Sequence, residues 1–182
     1  MLKYLIKRKL RAFGAAFGYD IEYAVDLVDA DVGAGQALGR LSAAANYCAD
    51  APAAAWHAAK IVAAMSEDCG PCVQLAVRMA EQAGVAASDL RAIVAGDVAQ
   101  ISDGASLGYR FAKSALARDG QLDPLRDEVV RRWGRKALGA IAISMMASRT
   151  FPALKYALGH GQSCQLVEIG GVATKPGKPA YA

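Results

Sequence analysis

The sequence predicts an all-α domain of about six to eight helices with no substantial sheet. Three observations carry this expectation. Of 182 residues, 40 are alanine, the residue of highest helix propensity and one that leaves little side chain at a contact. Aromatic and β-branched residues, which favour strands, are scarce; aromatics make up 7% of the chain. Apolar positions recur every three or four residues rather than alternating. With 54% hydrophobic residues, a chain of this length can bury a sizeable core as one domain.

The elements follow in order. In "MLKYLIKRKLRAFGAAFG", Leu2, Ile6, Leu10, Phe13 and Phe17 recur at helical spacing. Residues 21–48 read as helix, Gly-rich connector ("DVGAGQALG") and helix. "ADAP" at 49–52 is a turn, and Pro52 can open the next helix, "AAAWHAAKIVAAM" at 53–65. After a junction at Ser66–Asp68, where Ser66 or Asp68 can supply the N-cap, a helix runs from about Cys69 to a stop at Gly84. Ser88 can cap a short helix at 89–99. Another helix carries Leu107, Phe111 and Ala115. Asp123-Pro124 opens a further one, which Gly134 divides or bends, and "TFP" at 150–152 starts a last short helix. Beyond His160 the glycines, prolines and lysines predict a loosely held tail. The organisation expected is a single domain: a helical extension over 1–48, a helical core over 49–159 and a tail over 160–182.

The net charge of +4 is mild, and the excess sits at the N-terminus, where Lys3, Lys7, Arg8, Lys9 and Arg11 cluster. A nucleic-acid binder shows a broader basic face, so none is expected as partner. Lysines and arginines interrupt the N-terminal segment, which therefore lacks the apolar core of an export signal. It reads as an amphipathic helix docked on its own domain or on a neighbouring subunit. A basic helix lying on a membrane surface is the alternative. The longest apolar run, "ALGAIAISMMA" at 137–147, falls short of a membrane span and reads as a core helix. These features predict a cytoplasmic protein, where thiols stay reduced. Its four cysteines are then redox groups, metal ligands or core residues rather than a disulfide framework.

Cys69 and Cys72 form a C-x-x-C at a helix start, about one turn apart on nearly the same face. Free N–H groups and the helix dipole favour a thiolate there. One sulfur can attack and the other resolve, the minimum equipment for dithiol chemistry. Glu67 and Asp68 pull the other way, because nearby negative charge disfavours a thiolate. "CGPC" resembles the thioredoxin active-site motif, but that motif follows a β-strand, and here it follows an Ala-rich helix.

The helix before the motif, the C-x-x-C opening the next, and the later "SLGYRFAKSALA" and "IAISMMASRTFPALKYALG" resemble the AhpD-like, or carboxymuconolactone decarboxylase, superfamily over roughly residues 50–158. The resemblance implies an all-helical AhpD-like fold, homo-oligomers, no cofactor and no metal. It implies a thiol peroxidase or disulfide reductase whose substrate is a hydroperoxide or disulfide, regenerated by a protein or small-molecule reductant. The pattern places a glutamate twelve residues before the first cysteine and a histidine four after the second. Those positions hold His57 and Ala76. Cys69 and Cys72 match. The family's peroxide-attacking cysteine maps onto Cys72, whereas proximity to the helix start favours Cys69, so the roles stay open. The expected catalytic set is Cys69 and Cys72, with His57 as a proton handler or thiolate partner and Glu67 as a substitute carboxylate. Trp56, Val73, Val77 and Phe111 are expected to wall the pocket. The alternatives are a non-peroxidatic binding or structural homo-oligomer of this fold and a decarboxylase-type lyase.

The other candidates carry less. Cys48, His57, Cys69 and Cys72 would make a Cys3His zinc set, but the spacing of the first two is unusual. Cys48 reads as a small core residue, and His160 and Cys164 as parts of the tail. Asp123, Asp127 and Glu128 suit a helix start, while Arg149 stands at a helix end after an uncharged stretch.

Overall fold

The computed structural model describes residues 1–162 and 166–177. Among these lie eight α-helices, one short 3-10 turn and one hairpin, an all-α architecture as expected. α1 (Leu2–Phe17) ends at Gly18, which takes the left-handed conformation at φ 53°. α2 (Glu22–Ala30) and α3 (Val32–Ala45) meet at Asp31, whose carboxylate accepts from the N–H groups of Gly33 and Ala34 at 3.0 Å each. The expected Gly-rich connector is therefore the first half of α3. Its Gly35 lets α3 close on α2, because a Cβ there would stand 2.5 Å from Val28 Cγ2. A cap strong enough to restart the helix at Asp31 outweighs the low propensity of the glycines.

α4 (Ala53–Met65) is the central helix, buried along ten consecutive residues from Ala55 to Ala64. It packs on α5 (Gly70–Gln82), α7 (Asp103–Ala117) and α8 (Leu122–Ala157). Small residues allow this crowding. Gly108 of α7 faces the α4 backbone so closely that a Cβ would stand 2.6 Å from Ala55 Cα. α6 (Ala87–Ala95) is held to the start of α7 by Asp89, whose carboxylate accepts from Ser102 N–H at 2.8 Å and Ser102 Oγ at 2.6 Å.

α8 breaks at Gly134 (φ 82°, ψ 169°) but continues through Pro152, so no new helix starts at 150–152. By length and composition one window of α8 would cross a membrane. In the fold this helix packs along α3, α4 and α7, burying Ala137, Ala140, Ile141, Ser144 and Met145.

The expected loose tail is instead a docked hairpin, β1 (Val167–Ile169) with β2 (Val172–Thr174), antiparallel in the register Val167–Thr174. Val167 and Ile169 are fully buried in the main core. Gln74 of α5 binds the Glu168 backbone at both ends: its Nε2 donates to the carbonyl at 2.9 Å and its Oε1 accepts from the N–H at 2.7 Å. Gly170 N–H donates to Glu81 at 2.8 Å, and Gly177 N–H to the Val94 carbonyl at 2.8 Å. The two apolar teeth on one strand face outweigh the loop-like composition around them. Cys164 lies outside the described residues.

The buried side chains form two clusters. The larger spans α4–α8 and the hairpin. The smaller joins Tyr19, Ile21, Tyr23, Val25 and Leu38 with Leu10, Phe13 and Phe17 of α1. So α1 docks on its own chain, and Lys3 and Lys7 clamp it to Asp29 of α2. Arg78 of α5 binds the carbonyls of Phe17 and Gly18, tying the end of α1 over α5.

Candidate functional site: a dithiol beside an apolar cavity

Cys69 occupies the N-cap position of α5, and its carbonyl accepts from the N–H groups of Cys72 and Val73 at 3.0 Å each. Pro71 sits in the first turn, where its missing N–H leaves no bond unmade. Cα atoms of Cys69 and Cys72 stand 5.3 Å apart, and the two sulfurs are joined as a disulfide. Neither Ser66 nor Asp68 caps α5. Ser66 closes α4 instead, its hydroxyl donating to the Ala63 carbonyl at 2.7 Å. Asp68 turns the chain with φ 48°, and its carbonyl accepts from Tyr156 Oη at 2.9 Å.

The two cysteines differ in access. Cys69 is fully buried. Cys72 faces a cavity of about 610 Å³ that opens between the two apolar clusters. Its inner wall includes Tyr19, Tyr23, Lys60, Ala64, Cys72 and Ala76; Leu2, Lys9, Gln36 and Asn46 stand at the rim. The expected wall residues Trp56, Val73, Val77 and Phe111 do not face it and belong to the main core. The N-terminal helices supply the outer wall instead: α1 packs on α5 and α3 on α8, and Leu10, Phe13 and Leu38 face the cavity.

Tyr19 brings a phenol to the dithiol. Its Oη lies 3.8 Å from Cys72 Sγ. A disulfide sulfur carries no proton, so the phenol is the donor in this state. Burial, with Tyr23 beside it, pushes the Tyr19 phenol well above its ordinary range, and it stays protonated. Lys155 lies behind it, fully buried, with Nζ 4.8 Å from the centre of the Tyr19 ring and 5.5 Å from that of Tyr23. Among the described residues its ammonium has no hydrogen-bond partner, so the ring faces are its main solvation. Burial lowers its pKa.

The two other expected site residues lie elsewhere. His57 is buried edge-on against Trp56, ring centres 4.7 Å apart. It does not line the cavity and has no hydrogen bond to either cysteine. Burial, then the nearby Lys60, bring its pKa down to about 4, so it is neutral at physiological pH. Glu67 forms an ion pair with Arg149, which offsets its charge two residues before Cys69. Cys48, expected in the core, is exposed and free. Among the described residues no three of His, Cys, Asp and Glu converge as metal ligands would.

Sequence reasoning missed Tyr19 and Lys60. Lys60 had a signal, since it is the one charged residue in "AAAWHAAKIVAAM". One turn after His57, it faces the cavity that His57 does not. Its Nζ lies 4.1 Å from the Trp56 ring centre and 3.4 Å from Asn46 Oδ1. Tyr19 had none, lying fifty-three positions from Cys72.

No protein-family model, curated protein or solved structure shows significant similarity to this chain. The family resemblance therefore rests on the dithiol and its helical setting.

Proposed function

We propose that this protein is an AhpD-like thiol–disulfide oxidoreductase acting on an apolar substrate, an organic hydroperoxide in the first instance. One observation carries the reading: Cys72 faces a large apolar cavity while its partner Cys69, in disulfide reach, is sealed behind it. That asymmetry favours Cys72 as the attacking thiol and Cys69 as the resolving one.

The Cys72 thiolate attacks the terminal oxygen of the hydroperoxide. An S–O bond forms, the O–O bond breaks, and the alkoxide leaves. Tyr19, protonated and 3.8 Å from the sulfur, gives the alkoxide its proton and recovers one from solvent. The Cys72 sulfenic acid then condenses with the Cys69 thiol, forming the disulfide and releasing water. A dithiol reductant, protein or small molecule, returns two electrons and two protons to restore both thiols. Tyr19 thus takes the proton-handling place that Ala76 leaves vacant.

The test is a peroxidase assay with cumene hydroperoxide and a dithiol reductant, run beside C69S and C72S. Loss of turnover in both, with a dimedone-trapped sulfenic acid at position 72 in C69S, is the expected result. Wild-type rates in C72S would sink the proposal, as would no turnover in the wild type, which leaves the non-redox binding reading that rests on the same cavity.

A further inference from the structure

The cavity is apolar along most of its wall yet holds one buried cation. Lys60 is 5% exposed. Among the described residues no carboxylate pairs with it; the Asn46 amide oxygen and the Trp56 ring lie against it, and the Cys48 thiol is close enough to act on its charge. A buried ammonium of this kind is costly unless a counter-charge satisfies it. Burial brings its pKa down to about 8, which still leaves it mostly charged at neutral pH. Ala76, which also lines the cavity, contributes only a methyl group.

We infer that the cavity binds a single-chain amphiphile with a carboxylate head, its head on Lys60 beside Asn46 and its alkyl chain lying along the apolar residues that α1, α3 and α5 turn to the cavity. The volume of about 610 Å³ lies within the range of small-molecule sites. Most of the wall along that path is aliphatic or aromatic, including Leu2, Ile6, Leu10, Phe13 and Leu38, with Gln36 and Ser42 as polar members on α3. The apolar residues would bury an alkyl chain without asking it for hydrogen bonds. A single cation suits a monoanion and leaves a dianionic phosphate head under-neutralised. The inference deepens the proposed function by naming a substrate class, fatty-acid hydroperoxides, but the binding itself needs no thiol chemistry.

Lys9 at the rim is the competing anchor. The experiment therefore uses calorimetric titration of the full-length protein with hexadecanoate and hexadecan-1-ol, neither of which can oxidise a thiol. Wild type should prefer the acid. K60M should lose roughly tenfold to a hundredfold in hexadecanoate affinity, the worth of one charge-assisted hydrogen bond, and keep its affinity for the alcohol. K9Q should keep the preference, and A76F should weaken both ligands by filling the cavity. K60M removes a buried charge and is expected to fold at least as stably as wild type, which thermal unfolding checks. Equal binding of acid and alcohol by wild type, a preference that K9Q rather than K60M abolishes, or no binding of either would overturn the inference. Neither ligand reacts with a thiol, so the titration reads binding alone and the peroxidase assay reads the redox proposal; the two fail separately.

Discussion

Protonating His57 must be done inside the fold, where its ring is wedged against Trp56 and Lys60 adds a like charge. Its folded pKa of about 4 lies below the ordinary 6.5. Between those values the unfolded chain binds a proton that the folded chain refuses, so stability is complete above about pH 6.5 and falls as the pH drops toward 4. Integrating one such group gives a loss of about 2 kcal/mol between pH 7.5 and pH 5, approaching roughly 3 kcal/mol below pH 4. The assay is urea unfolding of wild type and H57N at both pH values, with the dithiol held oxidised throughout. H57N loses the ring contact and starts less stable. Its decline on acidification should nevertheless be smaller than that of wild type by about 2 kcal/mol, since the remaining groups titrate in both proteins. Parallel declines would refute the burial argument. They would also return His57 to the neutral-pH titration range, where an imidazolium can stabilise a thiolate.

Further outcomes follow from other contacts. Y19F should slow sulfenic acid formation at Cys72 by on the order of tenfold to a hundredfold, as loss of a positioned acid does, without weakening hexadecan-1-ol binding; stopped-flow rates equal to wild type would remove Tyr19 from the chemistry. G108A forces a methyl group against the Ala55 backbone and should cost about 2 kcal/mol or more, with an unchanged urea midpoint counting against the close α4–α7 approach. I169A empties a fully buried site under the hairpin and should cost about 3 kcal/mol, whereas a near-zero change would mean the hairpin does not hold its dock.

Much of the helical framework was legible before folding. Alanine content and apolar spacing gave the class, and the limits of α4 and the position of Cys69 and Cys72 at the start of α5 follow from local rules of propensity and helix entry. Local rules also explain the misreadings. The glycines of α3 look like a break because their reason, the approach of α2, is not local. Residues 166–177 look like a tail because only the α5 and α6 surfaces make Val167 and Ile169 core residues. His57 looks poised because spacing along a helix gives no burial, and burial is what takes its charge away.

The sequence by itself determined an all-helical chain with a dithiol at a helix start, because both depend on interactions within a few residues. Tertiary structure alone decided which sulfur is accessible and what faces it. Tyr19 reaches Cys72 only because Gly18 ends α1 and Arg78 pins that end over α5. Lys60 becomes a buried cation in an apolar cavity only because residues of α1 and α3 complete the wall around it. Burial and charge pairing belong to the assembled chain, and they set one sulfur of a four-residue motif against a buried phenol and an apolar cavity.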